Sequence, residues 1–291
     1  MNILKTIMVL IIGISVLSCK SLDLKNTSTD FTQEFLFTKG IEGPAVDSHG
    51  NLYAVNFQNE GTIGIVDAYG RPSLFATLPE GSIGNGIRFD KLNNMYIADY
   101  AKHNILLIAQ GTTKAVVYAH DSTLNQPNDI AIAPNGTLYA SDPNWKEKTG
   151  NLWLIKNHKF ILLEKNMGTT NGIEVSPDGK KLYVNESIQR NIWQYDIDSD
   201  GTVNNKKLLI SFTDFGMDGM RCDIKGNLYV CRYDKGTVVV LSPEGKILRE
   251  ITLKGKKPTN IAFGGKDKKQ CFVTMQDRGC FETFFAENSG R

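Results

Sequence analysis

The sequence lacks the features that mark several large classes of protein. Its 33 Lys and Arg residues nearly balance 31 Asp and Glu residues, whereas nucleic-acid-binding domains normally show a strong basic excess. No apolar run in the body of the chain approaches the ~20 residues that cross a bilayer. The five cysteines include no C-x-x-C pair, the spacing typical of zinc and redox sites. A P-loop, a G-x-S-x-G elbow and a WD dipeptide are also absent, which argues against the corresponding enzymes and against WD40 propellers.

The first nineteen residues resemble the export signal of a bacterial lipoprotein. Lys5 supplies positive charge, Ile7–Leu17 form an apolar stretch, and a small residue is followed at once by Cys19. The apolar stretch is too short for a membrane span but suits a signal core. We therefore predict lipidation of Cys19 and a place in the bacterial cell envelope, on the periplasmic face or the outer membrane. Ordinary signal cleavage, with Cys19 discarded or incidental, is the alternative.

The predicted division of the chain is a signal peptide at 1–18, a polar tether at 19–30 and one folded domain at 31–291. A hydrophobic fraction of 41% supplies enough material for a sizeable core. Four cysteines remain in the domain, each in or beside a strand-like run: Cys222, Cys231, Cys271 and Cys280. Export would permit disulfides among them, but buried thiols fit the sequence equally well.

A repeat of about 43 residues decides the fold. Each copy consists of a polar residue, an apolar run, a turn with Gly or Asn, and an aromatic residue that starts another strand. The six copies run 42–53, 85–96, 128–139, 171–183, 218–229 and 259–272. Together with the strand-like runs between them, they give four strands per unit, the size of a propeller blade. The sequence therefore predicts an all-β, six-bladed β-propeller.

The ring of blades also has a predicted closure. After the sixth copy only one further strand-like run remains, so the sixth blade would lack its outer strand. We expect an N-terminal strand within residues 31–38 to supply it, which would join the two ends of the chain and protect the sheet edges.

The polar residue that opens each copy is the candidate functional position. In a propeller the first strand of each blade lines the central channel, so these residues should meet at one mouth of it. They are Glu42, Asn85, Asn128, Asn171, Asp218 and Thr259. Asn and Asp are also frequent turn caps, which would explain some of the six. Carboxylates together with amide oxygens suit a hard cation, most simply Ca²⁺, with Zn²⁺ or Mg²⁺ as alternatives.

At this point the sequence resembles the SMP-30/gluconolactonase/luciferin-regenerating-like family of calcium-dependent six-bladed propellers. The resemblance rests on the order and spacing of short motifs from about Glu42 to Phe285. They are Glu42-Gly-Pro, Gln126-Pro-Asn-Asp, Asn171-Gly-Ile, Asp218-Gly-Met and Pro258-Thr-Asn-Ile-Ala-Phe-Gly-Gly. The resemblance implies that one divalent cation is held by Glu42, Asn128, Asn171 and Asp218.

The resemblance also implies roles in catalysis. Asp218 would be the general base or the nucleophile, with its pKa lowered by the cation. Such a weak base needs an activated electrophile, as lactones and phosphotriesters are. Asn85 and Thr259 would contact substrate, with Gln126 and Asp142 as further candidates. Sugar-lactone members often carry Arg where this chain has Gln126, which bears on preference for a polyhydroxy sugar acid.

The sequence therefore predicts a metal-dependent hydrolase of cyclic esters such as sugar lactones, acting as a monomer on a small molecule. No nucleic acid is expected as a partner, and contact with the membrane is expected through the lipid anchor alone. Two alternatives remain open. One is a non-catalytic binding propeller with a structural ion, and the other is a phosphotriesterase-like hydrolase.

Overall fold

The protein is described here by a computed structural model of residues 26–291. The predicted signal peptide and Cys19 lie outside the described residues. The described part contains no helix, and its 24 strands form six antiparallel four-stranded sheets. None of these residues therefore forms a helix of the length and hydropathy that a membrane crossing requires. The six-bladed propeller is confirmed.

The strands are numbered along the chain, from the inner to the outer edge of each blade. The first blade contains β2 (Phe37–Val46), β3 (Leu52–Phe57), β4 (Thr62–Val66) and β5 (Pro72–Thr77). The second contains β6 (Gly84–Phe89), β7 (Met95–Asp99), β8 (Asn104–Ile108) and β9 (Ala115–His120). The third contains β10 (Ile130–Ile132), β11 (Leu138–Asn144), β12 (Thr149–Lys156) and β13 (Lys159–Met167).

The fourth blade contains β14 (Thr170–Val175), β15 (Lys181–Glu186), β16 (Asn191–Ile197) and β17 (Val203–Ser211). The fifth contains β18 (Met220–Cys222), β19 (Leu228–Arg232), β20 (Thr237–Leu241) and β21 (Ile247–Thr252). The sixth contains β22 (Pro258–Gly264), β23 (Gln270–Met275), β24 (Cys280–Phe285) and, as its outer strand, β1 (Thr29–Asp30).

The turns between the first two strands of the blades have the backbone that their sequences predict. Residues at these turns take positive φ, a conformation that glycine and asparagine tolerate best. In the first five blades they are Gly50, Asn93, Gly136, Gly179 and Gly226. In the first, second and fifth blades an Asp three residues earlier accepts two backbone N–H bonds across the turn. The repeated turn chemistry thus fixes the register of each inner hairpin.

The ring is closed by an N-terminal strand, as predicted, but at a different place. Strand β1 pairs with β24 through Thr29↔Thr283 and Asp30↔Glu282, whereas residues 31–38 contain no outer strand. Phe37 instead begins β2, because its ring packs against Phe57 and Phe281 where the sixth blade meets the first. The folded domain therefore extends to Asn26, five residues before the predicted boundary at 31.

The apolar core is divided into six clusters, each lying between two neighbouring blades. The aromatic residue of each repeat packs there, and Tyr53, Tyr139, Tyr229 and Phe272 are all at most 5% exposed. A ring of sheets packed face to face in this way leaves the inner strands free to present polar residues to the axis.

The four cysteines of the described residues are free and buried. Three of them belong to the cluster between the fifth and sixth blades. Burial raises the pKa of Cys231 and Cys271 well above the usual thiol range. Between the two readings that the sequence left open, the structure supports buried, unreactive thiols.

Candidate metal centre

The six polar residues that open the repeats meet at one mouth of the channel. Glu42, Asn85, Asn171 and Thr259 lie in inner strands, while Asn128 and Asp218 lie two residues before theirs. All six line one cavity of about 290 Å³. The cavity is completed by Lys39, Gly40, Ile41, Trp145, Ser187, Tyr233 and Gln276. The prediction that the repeat places these six positions together is confirmed.

Close contact between neighbouring inner strands requires glycine after several of these residues. A Cβ on Gly219 would lie 1.9 Å from Cγ of Asn260, and one on Gly43 would lie 2.1 Å from the carbonyl oxygen of Asn85. The absence of a side chain lets the Gly219 N–H donate to the Thr259 carbonyl of the next blade, at 2.7 Å. The mouth is therefore a rigid ring, because backbone bonds between blades fix the residues that line it.

Three oxygens at this mouth have no hydrogen-bond partner although they are buried. They are Oε1 of Glu42, Oδ1 of Asn128 and Oδ1 of Asn171. The other carboxylate oxygen of Glu42 accepts hydrogen bonds from Nδ2 of Asn260, at 3.1 Å, and from the N–H of Gly43. A buried acceptor left unsatisfied costs about 1–3 kcal/mol. Three such oxygens facing one cavity with Asp218 form a donor set that fits a hard cation.

The carboxylates of the mouth are poorly compensated by positive charge. Burial and the nearby charge of Asp129 raise the pKa of Glu42 to about 7. Burial, followed by the charges of Glu42 and Asp129, holds the pKa of Asp218 well above its usual range. A divalent cation would reverse these shifts, because it favours the charged form of both groups.

No group of three or more His, Cys, Asp or Glu side chains suited to a metal occurs in residues 26–291. The candidate set has only two acids, the other two members being amides.

Two predicted substrate residues lie away from the cavity lining. Asp142 is fully buried, and its carboxylate accepts hydrogen bonds from Asn125, Asn151, Trp153 and the Gln126 N–H. Its role is to anchor the segment before Asn128, since its oxygens are occupied by the protein. Gln126 is itself exposed and is not among the residues that line the cavity. Neither side chain is among those that line the cavity, and their predicted contact with substrate stays a prediction.

Thr259 and Asn85 do line the cavity, but both also tie blades together. The Thr259 hydroxyl donates to the carbonyl oxygen of Ile41 at 2.9 Å and lies 2.7 Å from Oγ1 of Thr274. The Asn85 amide donates to the Asn128 carbonyl oxygen at 3.1 Å. These contacts hold the mouth in shape.

Below the mouth lies a group of buried charges that the sequence reasoning missed. We call it the axial cluster, and its members are Arg88, Asp129, Glu174, Arg221 and Asn260, all at most 8% exposed. Nη1 of Arg88 contacts Oδ1 of Asp129 at 3.1 Å, and Nη1 of Arg221 contacts the other oxygen at 3.4 Å. A signal was present, because the third residue after the opening position is Arg88, Glu174 or Arg221 in three blades and alanine in the others.

A larger cavity, of about 670 Å³, lies at the ring closure. Its charged groups already pair with one another, for instance Arg278 with Asp30 and Glu34. None of the side chains that line it carries an unpaired buried polar atom. The channel mouth is therefore the better candidate for a functional site.

Comparison with known proteins identifies relatives of this chain. A gluconolactonase from Zymomonas mobilis is 29% identical over 208 residues, 62% of this chain and 58% of its own length. The diisopropyl-fluorophosphatase of Loligo vulgaris is 26% identical over 297 residues, 89% of this chain and 94% of its own length. The alignments to three relatives, the Zymomonas mobilis gluconolactonase among them, span only 53–58% of the lengths of those proteins.

A solved structure gives the same fold. The calcium-binding protein regucalcin from Agrobacterium tumefaciens superposes with a TM-score of 0.76 at 23% identity, over 90% of this chain and 96% of that one. The sequence profile described as the SMP-30/Gluconolactonase/LRE-like region matches residues 41–277, which include every opening residue of the six repeats. The chain belongs to the SMP-30/gluconolactonase/LRE-like family.

Proposed function

We propose that this protein is a divalent-cation-dependent hydrolase of cyclic esters, with small lactones as substrates. The observation that carries the proposal is the set of three buried, unpaired oxygens beside Asp218. They belong to Glu42, Asn128 and Asn171, three of the four residues that the family resemblance implies as ligands.

The cation would be held by Glu42, Asn128, Asn171 and Asp218. Carboxylate and amide oxygens favour Ca²⁺, which takes six to eight oxygen ligands. Four side chains would leave coordination positions for water and substrate. Bound there, Ca²⁺ would supply positive charge that stabilises the negative charge developing on the ester carbonyl. A calcium-binding protein among the solved relatives supports this choice of ion.

Asp218 is the proposed base. Its carboxylate would take the proton of the attacking water, or would itself attack the carbonyl carbon. It lines the cavity, and its backbone is held by the N–H to the Cys231 carbonyl at 3.0 Å and by the carbonyl to Asn185 at 2.6 Å. These bonds fix the position of the Asp218 main chain at the mouth and so limit where its carboxylate can lie, as the positioning of a base requires. A non-catalytic binding propeller would use this acid only as a ligand of its ion.

The walls of the cavity support a small ring as substrate. Its volume, about 290 Å³, lies near the lower end of small-molecule sites. Trp145 and Tyr233 offer aromatic surface, and Lys39 places a cation at the rim. Relatives named gluconolactonase and 6-deoxy-6-sulfogluconolactonase support a sugar lactone.

A second substrate class is favoured by one observation. The similarity to diisopropyl-fluorophosphatase covers 89% of this chain, more than the 62% of the gluconolactonase match. A phosphotriester would use the same cation and the same acid, because its phosphoryl oxygen develops negative charge in the same way.

We also propose that the protein is exported and lipid-anchored through Cys19 in the bacterial envelope. The support comes from the N-terminal sequence alone. Because the propeller already includes Asn26, the proposed tether would be confined to residues 19–25. Radiolabelled fatty acid should be incorporated into the wild-type protein and not into Cys19→Ser.

The test of the proposed function uses residues 20–291, produced without the lipid. Proton release is followed above the spontaneous rate on five- and six-membered lactones and on a phosphotriester, with EDTA and then with single divalent ions. We expect hydrolysis that EDTA abolishes and Ca²⁺ restores. Absence of turnover on every substrate, with Ca²⁺ still raising the melting temperature, would instead indicate the binding propeller.

A further inference from the structure

The axial cluster, Arg88, Asp129, Glu174, Arg221 and Asn260, takes one side chain from each of five blades. In the first blade, the one blade that supplies no member, the cluster contacts Glu42. Nδ2 of Asn260 donates to Oε2 of Glu42 at 3.1 Å and to Oδ2 of Asp129 at 3.3 Å, while Oδ1 of Asn260 accepts from Nη1 of Arg221 at 3.0 Å. The cluster therefore reaches the proposed metal site through one amide.

Arg221 also contacts the strand that carries Glu42. Its Nη2 atom lies 3.5 Å from the carbonyl oxygen of Pro44, two residues after Glu42, and its Nη1 donates to the Met220 carbonyl at 2.8 Å. The guanidinium thus links the fifth blade, the backbone of the first blade and the Asn260 amide of the sixth. Rotation of the Asn260 amide would break its hydrogen bonds with both Arg221 and Glu42.

The arrangement leaves a single oxygen of Glu42 available. Oε2 is occupied by Asn260 and Gly43, whereas Oε1 is buried without a partner. A carboxylate ligand whose second oxygen is held by hydrogen bonds loses its freedom to rotate, and outer partners of this kind tune metal affinity.

The charge of the cluster could not by itself attract a cation. Two guanidiniums, Arg88 and Arg221, face two carboxylates, Asp129 and Glu174. A third guanidinium, that of Arg291, contacts Glu174 at 2.6 Å. The axial cluster itself is neutral, so it supplies no net attraction for a cation at the mouth, and removal of the Arg221 charge alone would make it more negative. Any favourable effect of Arg221 on cation binding must come from the orientation of other groups.

We propose that Arg221 and Asn260 are positioning residues for the metal site, holding Glu42 so that Oε1 points at the cation. The inference rests on the proposed function, because it requires that the mouth binds a divalent ion. A positioning role and a purely electrostatic role of Arg221 predict opposite changes in cation affinity. Removing the positive charge of Arg221 weakens cation binding if the residue positions Glu42, and tightens it if the charge acts alone.

The experiment measures Ca²⁺ dissociation constants by calorimetry, on metal-free protein comprising residues 20–291. The variants are Arg221→Met, Arg221→Lys and Asn260→Leu. Arg278→Met is the matched control, because Arg278 is also a multiply paired arginine, with a side chain 13% exposed and with Asp30, Glu34 and Glu282 as partners at the ring closure. Melting temperatures in EDTA record the structural effect of each change separately.

We expect Arg221→Met and Asn260→Leu to weaken Ca²⁺ binding by about 10- to 100-fold. Arg221→Lys should weaken it less, because an ammonium keeps the charge but not the fork of donors. Arg278→Met should lower the melting temperature and leave the dissociation constant unchanged. Asn260→Leu keeps every charge and the same branched arrangement of side-chain heavy atoms, so it decides the question if Arg221→Met does not fold.

Equal or tighter Ca²⁺ binding by folded Arg221→Met or Asn260→Leu overturns the positioning role. An equal loss of affinity in Arg278→Met also overturns it, because the effect would then follow stability alone. Absence of Ca²⁺ binding by the wild-type protein contradicts the proposed function instead, and the two failures are distinguishable by that measurement.

Discussion

The interfaces between blades and the axis of the ring are both buried, but they are built from opposite chemistry. The interfaces hold six clusters of apolar side chains, each shared by two neighbouring sheets. The axis holds carboxylates, guanidiniums and amides, from Glu42 at one mouth to Glu174 deeper in the channel. Apolar burial drives folding, whereas buried charges often contribute little net stability.

The difference separates stability from function in this molecule. The interfaces repeat around the ring, so each blade contributes the same kind of residue to them. The axis does not repeat, because acids open only the first and fifth copies. This asymmetry distinguishes the positions of the ring from one another, so that four of the six can form one particular ligand set. Changes at the axis should therefore alter chemistry, and changes at the interfaces should alter stability.

The largest effect is expected from Asp218→Asn. It should lower kcat on a lactone by between about 100-fold and 10,000-fold, the range that a general base contributes. The melting temperature in EDTA should not fall, because the change removes a buried carboxylate that repels Glu42. Initial rates measure kcat, and thermal unfolding in EDTA measures the melting temperature. Asp196→Asn, at a surface position, is the control, and retention of wild-type kcat by Asp218→Asn would refute its role as base.

At an interface, Phe281→Ala should lower the free energy of unfolding by about 3–5 kcal/mol. Phe281 is fully buried in the cluster between the sixth and first blades. The protein that remains folded should bind Ca²⁺ as the wild type does. Denaturant unfolding and calorimetry measure the two quantities. A large change in Ca²⁺ affinity at unchanged stability would break the separation between interface and axis.

Asp142→Ala should cost about 1–3 kcal/mol of stability, because it leaves several buried donors without their acceptor. Asp142→Asn is the closer variant, since it keeps the shape but loses the charge that Trp153 and the Gln126 N–H contact. The Michaelis constant for a lactone should change only slightly in the folded enzyme. A tenfold or greater rise in the Michaelis constant without loss of stability would indicate that Asp142 contacts substrate.

The smallest effect is a pH dependence. Burial raises the pKa of Glu42 from 4.5 to about 7 in the folded protein, so the folded state binds this proton more tightly than the unfolded state. Metal-free protein should therefore lose stability as the pH rises from about 4.5 to about 7, by a few degrees in melting temperature. Glu42→Gln should reduce this slope without abolishing it, because burial also raises the pKa of Asp218. Saturating Ca²⁺ should reverse it, because the cation competes with the proton. A flat profile for the metal-free wild type would contradict the pKa shift.

Much of the fold could be predicted because the repeat encodes it locally. The turn at Gly50 or Gly226 needs positive φ wherever it occurs, and the alternation of buried residues marks the strands on either side. The spacing of the opening residues also predicted their meeting at one mouth, since equivalent positions of a ring lie together. The closing strand was placed too late, at 31–38, because Phe37 packs into the first blade and no sequence pattern marks two residues, Thr29–Asp30, as a strand.

The register of Arg88, Glu174 and Arg221 indicates that they meet on the axis, but the partners that they take there, and the role of Asp142, could not be predicted in the same way. Asp129 and Arg221 are 92 residues apart along the chain and meet only because the ring closes. An acid at the end of a strand, such as Asp142, looks the same in sequence whether it faces substrate or caps a loop. Which oxygens stay unpaired depends on three-dimensional contacts, as with Oε1 and Oε2 of Glu42.

The most direct test of the account is the position of the ion. A crystal of residues 20–291 grown with Ca²⁺, and a second with Mn²⁺ for its anomalous signal, should show one ion at the channel mouth. The account predicts oxygens of Glu42, Asn128, Asn171 and Asp218 at about 2.3–2.6 Å from Ca²⁺. An ion bound elsewhere, with these four side chains contacting only water or one another, would contradict it.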